Sequence, residues 1–245
     1  MVELLVAIAI IAILASLVLA ALGKVRERGN AAGTVNNLRQ LSAAFLLFAS
    51  EHNQTLPGNF DTRDKTDENG NPLEEWTSSW LSGRNNDSDE MSKGPQEGTI
   101  FPYVGRNEKV YRVPGLKETP DQGGGSNGKF DFAMMLRLAG ASLMNVPAVC
   151  ELRGQQLPTP LLIQEASDHY INHTYREGAH GFEDEASQHF SGGAYYAAIG
   201  GTVHFLKVPE ENPYKASEWM AVAPSGELKS LGQPNVTTFG EWNYD

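Results

Sequence analysis

The sequence predicts an α+β protein: a long N-terminal α-helix, membrane-spanning in its first half, packed by its C-terminal half on a mainly antiparallel β-sheet head. Three observations carry this. Residues 4–22, LLVAIAIIAILASLVLAAL, hold no charge, no Pro and no Gly. Val35, Leu38, Leu41, Phe45 and Phe48 then recur at spacings of three and four, an amphipathic stripe. Late in the chain two β-prone runs, Gly193–Ile199 and Thr202–Val208, flank Gly200-Gly201, a short-range hairpin signal. The chain therefore divides into an apolar helical half at 1–23, an amphipathic half of the same helix at 24–56 and a head at 57–245.

Composition bounds the function. The 245 residues are 40% hydrophobic and 20% charged, with 25 Gly and 13 Pro, as expected of a folded chain rich in turns. A single cysteine, Cys150, excludes an intramolecular disulfide framework and a Cys-rich zinc site. A net charge of −11 argues against nucleic acid as a partner, because phosphate contacts need a basic face. The charge is unevenly placed, with a balance of +1 over residues 1–53 and −12 over the remainder.

The helix is justified in two parts. Nineteen apolar residues at 4–22 extend roughly 28 Å, close to the thickness of a bilayer's hydrocarbon core. They are apolar all round, which suits lipid or a helix bundle. A cleaved signal peptide fits less well: its apolar core spans about 7–15 residues and follows a basic stretch. Here no Lys or Arg precedes the run, and the helical pattern continues past it. No proline occurs until Pro57, and Asn53–Gly58 supplies the stop, so one helix of about 52 residues, roughly 78 Å long, is expected. Gly23, Gly29 and Gly33 each weaken it by about 1 kcal/mol relative to Ala and mark where it would bend. Glu3 stands alone beside the apolar run. A carboxylate there is favourable at a helix N-terminus and costly within a membrane unless it meets a cation. Both readings stay open from the residues.

Val2-Glu3-Leu4-Leu5-Val6-Ala7-Ile8-Ala9-Ile10-Ile11-Ala12-Ile13-Leu14-Ala15 resembles the N-terminal methylation segment of type IV pilins and type II secretion pseudopilins. That segment is a Phe-Thr-Leu-Val-Glu-Leu-Leu core followed by alternating Ile and Ala. The resemblance implies a pilin-like fold and a structural subunit of a pilus or pseudopilus filament. It would be a single-pass protein of the bacterial inner membrane before assembly, its head periplasmic or in an extracellular filament. Its partners would be membrane lipid and other pilin or pseudopilin subunits, met through the N-terminal helix. The role of offsetting a neighbouring subunit's N-terminal amine falls to Glu3. Met1 stands where the pattern has its third mature residue, so the pattern's basic leader, Gly cleavage point and methylated Phe have no counterpart in this sequence. By the positive-inside rule alone, Lys24, Arg26 and Arg28 would put the head in the cytoplasm; the resemblance implies the opposite side.

The head opens with a polar, turn-rich stretch at 58–98. Asp67-Glu68-Asn69-Gly70 is like the middle of an EF-hand loop, but Lys65 and Trp76 replace its first acid and its bidentate Glu, so a helix–loop–helix calcium site is rejected. Asp61, Asp64, Asp67, Asp87 and Asp89 are read as solvated, with an irregular calcium site as the alternative. Thr99–Gly105 and Lys109–Pro114 read as short extended pieces around a turn. They are similar to a segment of large pseudopilin-like proteins that usually ends in Cys-Pro; Val113-Pro114 stands there instead. Gln122–Gly128 is expected to be a flexible loop. Phe130–Leu138 and Leu157–Ile163 are apolar enough for the core, the second as a strand. His189 with Gly192-Gly193 and the hairpin resembles the signature closing many pilin-like heads, with Gly200 where that signature has Asp.

Catalytic patterns are missing: no Gly-x-Ser-x-Gly elbow, no phosphate-binding loop and no dinucleotide fingerprint occur. Cys150 follows an apolar stretch and reads as a buried small hydrophobe. His169-Tyr-Ile-Asn-His173 has the spacing of a helical zinc pair, but Tyr170 replaces the catalytic Glu of zinc peptidases. His180 and His189, near Asp168, Glu183, Asp184 and Glu185, could complete a metal site, although loop histidines are more often solvent-facing. No enzyme, no cofactor, no catalytic residue and no metal ligand is therefore assigned. The competing expectation is a membrane-tethered binding module whose head takes a glycan, a metal ion or a secreted substrate. Trp76, Trp80, Tyr103, Tyr170, Tyr175 and Trp219 would then supply stacking surfaces, although core packing is the commoner use of such rings.

Overall fold

Helix formation dominates the first fifty residues: α1 runs unbroken over Val2–Glu51. The structure, a computed structural model, describes residues 2–58, 80–81, 95–116, 130–165, 178–181, 184–222 and 228–231, without the side chains of residues 5, 17, 18, 20, 21 and 97. The EF-hand-like segment, its neighbouring aspartates, Trp76, the Gln122–Gly128 loop, Asp168, His169, Tyr170, His173, Tyr175 and Glu183 lie outside the described residues. The helix stays α-helical through Gly23, Gly29 and Gly33. Gly33 has a packing reason, since a Cβ there would sit 2.8 Å from Cγ of Pro114. Termination follows from two left-handed residues, Asn53 (φ 51°) and Gln54 (φ 63°), the second donating its N–H to the Ala49 carbonyl at 2.8 Å.

The expectation that the first half of α1 spans a membrane is not met. Among the described residues no helix is long and apolar enough to cross a membrane. What stands is an α+β chain whose 50-residue N-terminal helix carries an apolar first half.

The expected single sheet is two. β1 (Phe132–Met135), β4 (Pro160–Gln164), β5 (Ala179–His180), β6 (Gly193–Ala198) and β7 (Val203–Lys207) form a sheet of order β5-β1-β4-β6-β7. It is antiparallel except for the parallel β1–β5 edge, hence mixed. β2 (Val149–Leu152), β3 (Gln155–Pro158), β8 (Trp219–Val222) and β9 (Leu228–Ser230) form a fully antiparallel sheet of order β3-β2-β8-β9. The predicted strand at Leu157–Ile163 is split between the two. Pro158 and Pro160 lack ladder donors, so each stands at a strand end. Thr159 between them donates its N–H to Ala148 and accepts from the N–H of Ile199, at 3.0 and 2.8 Å, linking the two sheets.

The hairpin forms as expected, with β6 and β7 in register from Gly193↔Lys207 to Ala197↔Val203. Gly201 takes φ +83°, the left-handed conformation that the turn demands. The extended pieces predicted around residue 105 are instead 3-10 turns at Pro102–Val104 and Glu108–Tyr111. Pro102 begins the first, where a missing N–H costs nothing, and Gly105 (φ 64°) ends it. The second is capped by the Asn107 side chain, which accepts from the Lys109 N–H at 3.1 Å. Asn37 on α1 holds this segment, donating to the carbonyls of Lys109 and Arg112 at 3.1 and 2.8 Å.

Leu38, Leu41, Phe45 and Phe48 are buried, and α1 lies against β6, with β4 and β7 and both 3-10 turns also in contact. An amphipathic helix must find a partner face, and the hairpin supplies it. Phe45 packs on Trp80 with ring centroids 5.2 Å apart, and Trp80 stacks on Tyr111 at 6.0 Å. The Trp80 indole N–H donates to the Gly178 carbonyl at 3.1 Å, tying residue 80 to the strand region at 178–180.

Candidate functional site

Among the described residues two places are chemically unusual: the surface of the first half of α1, and a polar cluster inside the head. The large apolar side chains described from Val2 to Val25 are each 52–73% exposed. They include Leu4, Ile13, Leu14 and Leu19, which point in different directions round the helix, so the described residues offer no polar face to carry it in water. Contiguous apolar surface of this kind marks a protein or membrane contact. Glu3 lies exposed in the first turn, where a carboxylate complements the unpaired N–H groups of the helix start. The first residue of α1 packed against the core, Ala31, lies about 42 Å further along the axis.

At the border between the bare helix and the head is a groove of ≈ 450 Å³. Lys24, Glu27 and Arg28 line its helical side, and Phe190, Tyr195 and Phe205 the other. The three rings contact edge to face, with centroids 5.3 and 5.1 Å apart. The Ser191 hydroxyl donates to Glu27 Oε1 at 2.7 Å, anchoring the helix to the head just above the apolar half.

The polar cluster joins Glu165, His180 and Asp184. Glu165 follows the last residue of β4; His180 lies on β5, opposite Met135 of β1. Asp184 sits in a turn that fixes its carboxylate: Oδ2 accepts from the Gly181 N–H at 2.8 Å, and the Asp184 N–H returns to the Gly181 carbonyl at 3.0 Å. His180 Nδ1 lies 3.0 Å from Glu165 Oε1, and one ligand-type atom from each of the three residues falls within 4.8 Å of the others. His180 is fully buried, and its Nε2 has no partner among the described residues. Burial pushes the Glu165 carboxyl well above the ordinary carboxylate range. Burial, then the charge of Glu165, raises Asp184 to about 7. Burial lowers His180 to about 4, against the pull of Asp184.

Of the described residues singled out from the sequence for a metal, His180 and Asp184 come together, whereas Glu185 and His189 do not. His189 is turned away, its ring 4.7 Å from that of Phe190, and Glu185 instead pairs across an isolated bridge with Lys215. Sequence reasoning missed Glu165, which is 15 residues before His180 and has no motif around it. Cys150 is buried, its thiol pushed up to about 12 by burial, so it is an inert core residue as expected. Trp80 and Trp219 are fully buried, and the Tyr103 hydroxyl donates to Glu51 at 2.6 Å; as stacking platforms both tryptophans are corrected to core residues. No protein family, curated protein or solved structure matches this chain.

Proposed function

We propose that the chain is a structural subunit of a type IV pilus-like or type II secretion pseudopilus filament, held in the bacterial inner membrane before assembly. The observation that supports the reading is a single 50-residue helix with two surfaces. Its second half is buried in an α+β head; its first half exposes apolar side chains on every side. Such a surface is stable only when covered, by lipid in the membrane or by equivalent helices in a bundle. The aromatic and basic residues around the border groove suit a headgroup region, where rings and long cations place apolar bodies inward and polar tips outward. The head is then periplasmic or part of the filament surface, the partners are lipid and other subunits, and the chain acts by assembly, not catalysis.

Within a bundle of apolar helices, Glu3 needs a positive partner, and the N-terminal amine of an adjacent subunit is one. Unpaired, a buried carboxylate costs several kcal/mol; paired, it selects register. Glu3→Ala is therefore expected to leave head stability and membrane insertion unchanged while lowering incorporation into filaments. The measurement is co-assembly with partner subunits, scored by sheared-filament yield. Normal incorporation would leave Glu3 with its helix-end role alone.

A further inference from the structure

We propose that Glu165, His180 and Asp184 form a metal site for a divalent ion of the zinc class inside the head. The inference stands independently of the filament reading.

The donor set determines the class of ion. One imidazole and two carboxylates suit zinc and its first-row neighbours, and with no thiolate the site is not built for soft ions such as copper(I). Calcium wants six to eight oxygen ligands, which a buried cluster containing an imidazole does not supply. Ligand atoms in a tetrahedral zinc site lie roughly 3.4 Å apart, given bonds of about 2.1 Å. His180 Nδ1 and Glu165 Oε1 are already 3.0 Å apart, and the whole set is within 4.8 Å, so closure requires side-chain shifts of about 1 Å.

The backbone holds all three donors in place. β4 pairs with β1, β5 pairs with β1 on its other side, and Glu165 bridges to Ala186 just beyond Asp184. The Gly181 N–H bond to Asp184 Oδ2 orients the carboxylate, as a supporting hydrogen bond does in metal sites. Two carboxylates beside a fully buried imidazole are expensive without a cation. Among the described residues no Lys or Arg pairs with either acid. A divalent ion neutralises both acids and cross-links β4, β5 and the Asp184 turn.

The test uses the full chain in detergent micelles, stripped with a chelator, then titrated with Zn²⁺ alone by calorimetry and with Co²⁺ by visible spectroscopy. One equivalent is expected to bind, with Co²⁺ ligand-field bands of tetrahedral intensity. Glu165→Gln, His180→Gln and Asp184→Asn should each weaken binding by more than about 100-fold, since loss of a merely supporting group costs about 10–100-fold. His204→Gln, on β7, should bind like the parent. If His180→Gln fails to fold, Glu165→Gln decides, because its amide oxygen can still accept from the His180 ring. Absence of a tight equivalent in the parent overturns the proposal. So does binding that survives the Glu165 and Asp184 substitutions, which would locate the metal at other histidines.

Discussion

The full chain is expected to need detergent to stay dispersed, and removal of residues 1–23 to leave a protein that stays monomeric in plain buffer. The deleted segment holds ten of the large apolar side chains that stand exposed on α1, from Val2 to Leu22, and none of the buried core. The retained part of α1 keeps Leu38, Leu41, Phe45 and Phe48 against the hairpin, so the head loses no packing. Sedimentation and light scattering of the two chains, with and without detergent, check it. A full chain that remains monomeric in buffer without detergent would show that the apolar half is covered in some way other than by lipid or partners.

Phe45→Ala is expected to destabilise the head by about 3–5 kcal/mol, the cost of removing a fully buried aromatic side chain and leaving a cavity. Phe45 has no exposed surface and contacts Trp80, whose indole holds Gly178 and stacks on Tyr111. The cavity therefore opens where helix, 3-10 turn and strand region meet. Denaturant unfolding of the detergent-solubilised full chain, followed through head fluorescence, measures it. A loss below about 1 kcal/mol would place Phe45 outside the cooperative core.

What the sequence made legible was whatever repeats at a fixed period. The stripe through Phe45 and Phe48 and the Gly200-Gly201 hairpin both announce themselves within a few residues, and both form. Local turn chemistry was harder. Pro102 and Asn107 turn apolar runs that read as strands into 3-10 turns, because a first-turn Pro and an Asn cap outweigh β propensity over three or four residues. Leu157–Ile163 reads as one strand, yet Pro158 and Pro160 divide it between two sheets, a division that only the partners of Thr159 explain. The polar cluster was least legible. His180 and Asp184 stood out as residue types, but Glu165 joins them only because β4 and β5 flank β1, a topology that no spacing encodes.

The account rests on the exposed apolar half of α1 being an assembly surface. Single cysteines placed there, Ile10→Cys and Leu14→Cys, test it most directly, since Cys150 is buried and unreactive. With partner subunits present, oxidative crosslinking at these positions is expected to give a ladder of oligomers, while Met144→Cys on the head, also highly exposed, gives monomers. Monomers alone at Ile10 and Leu14, from chains recovered in assembled filaments, would contradict a helix-cored assembly.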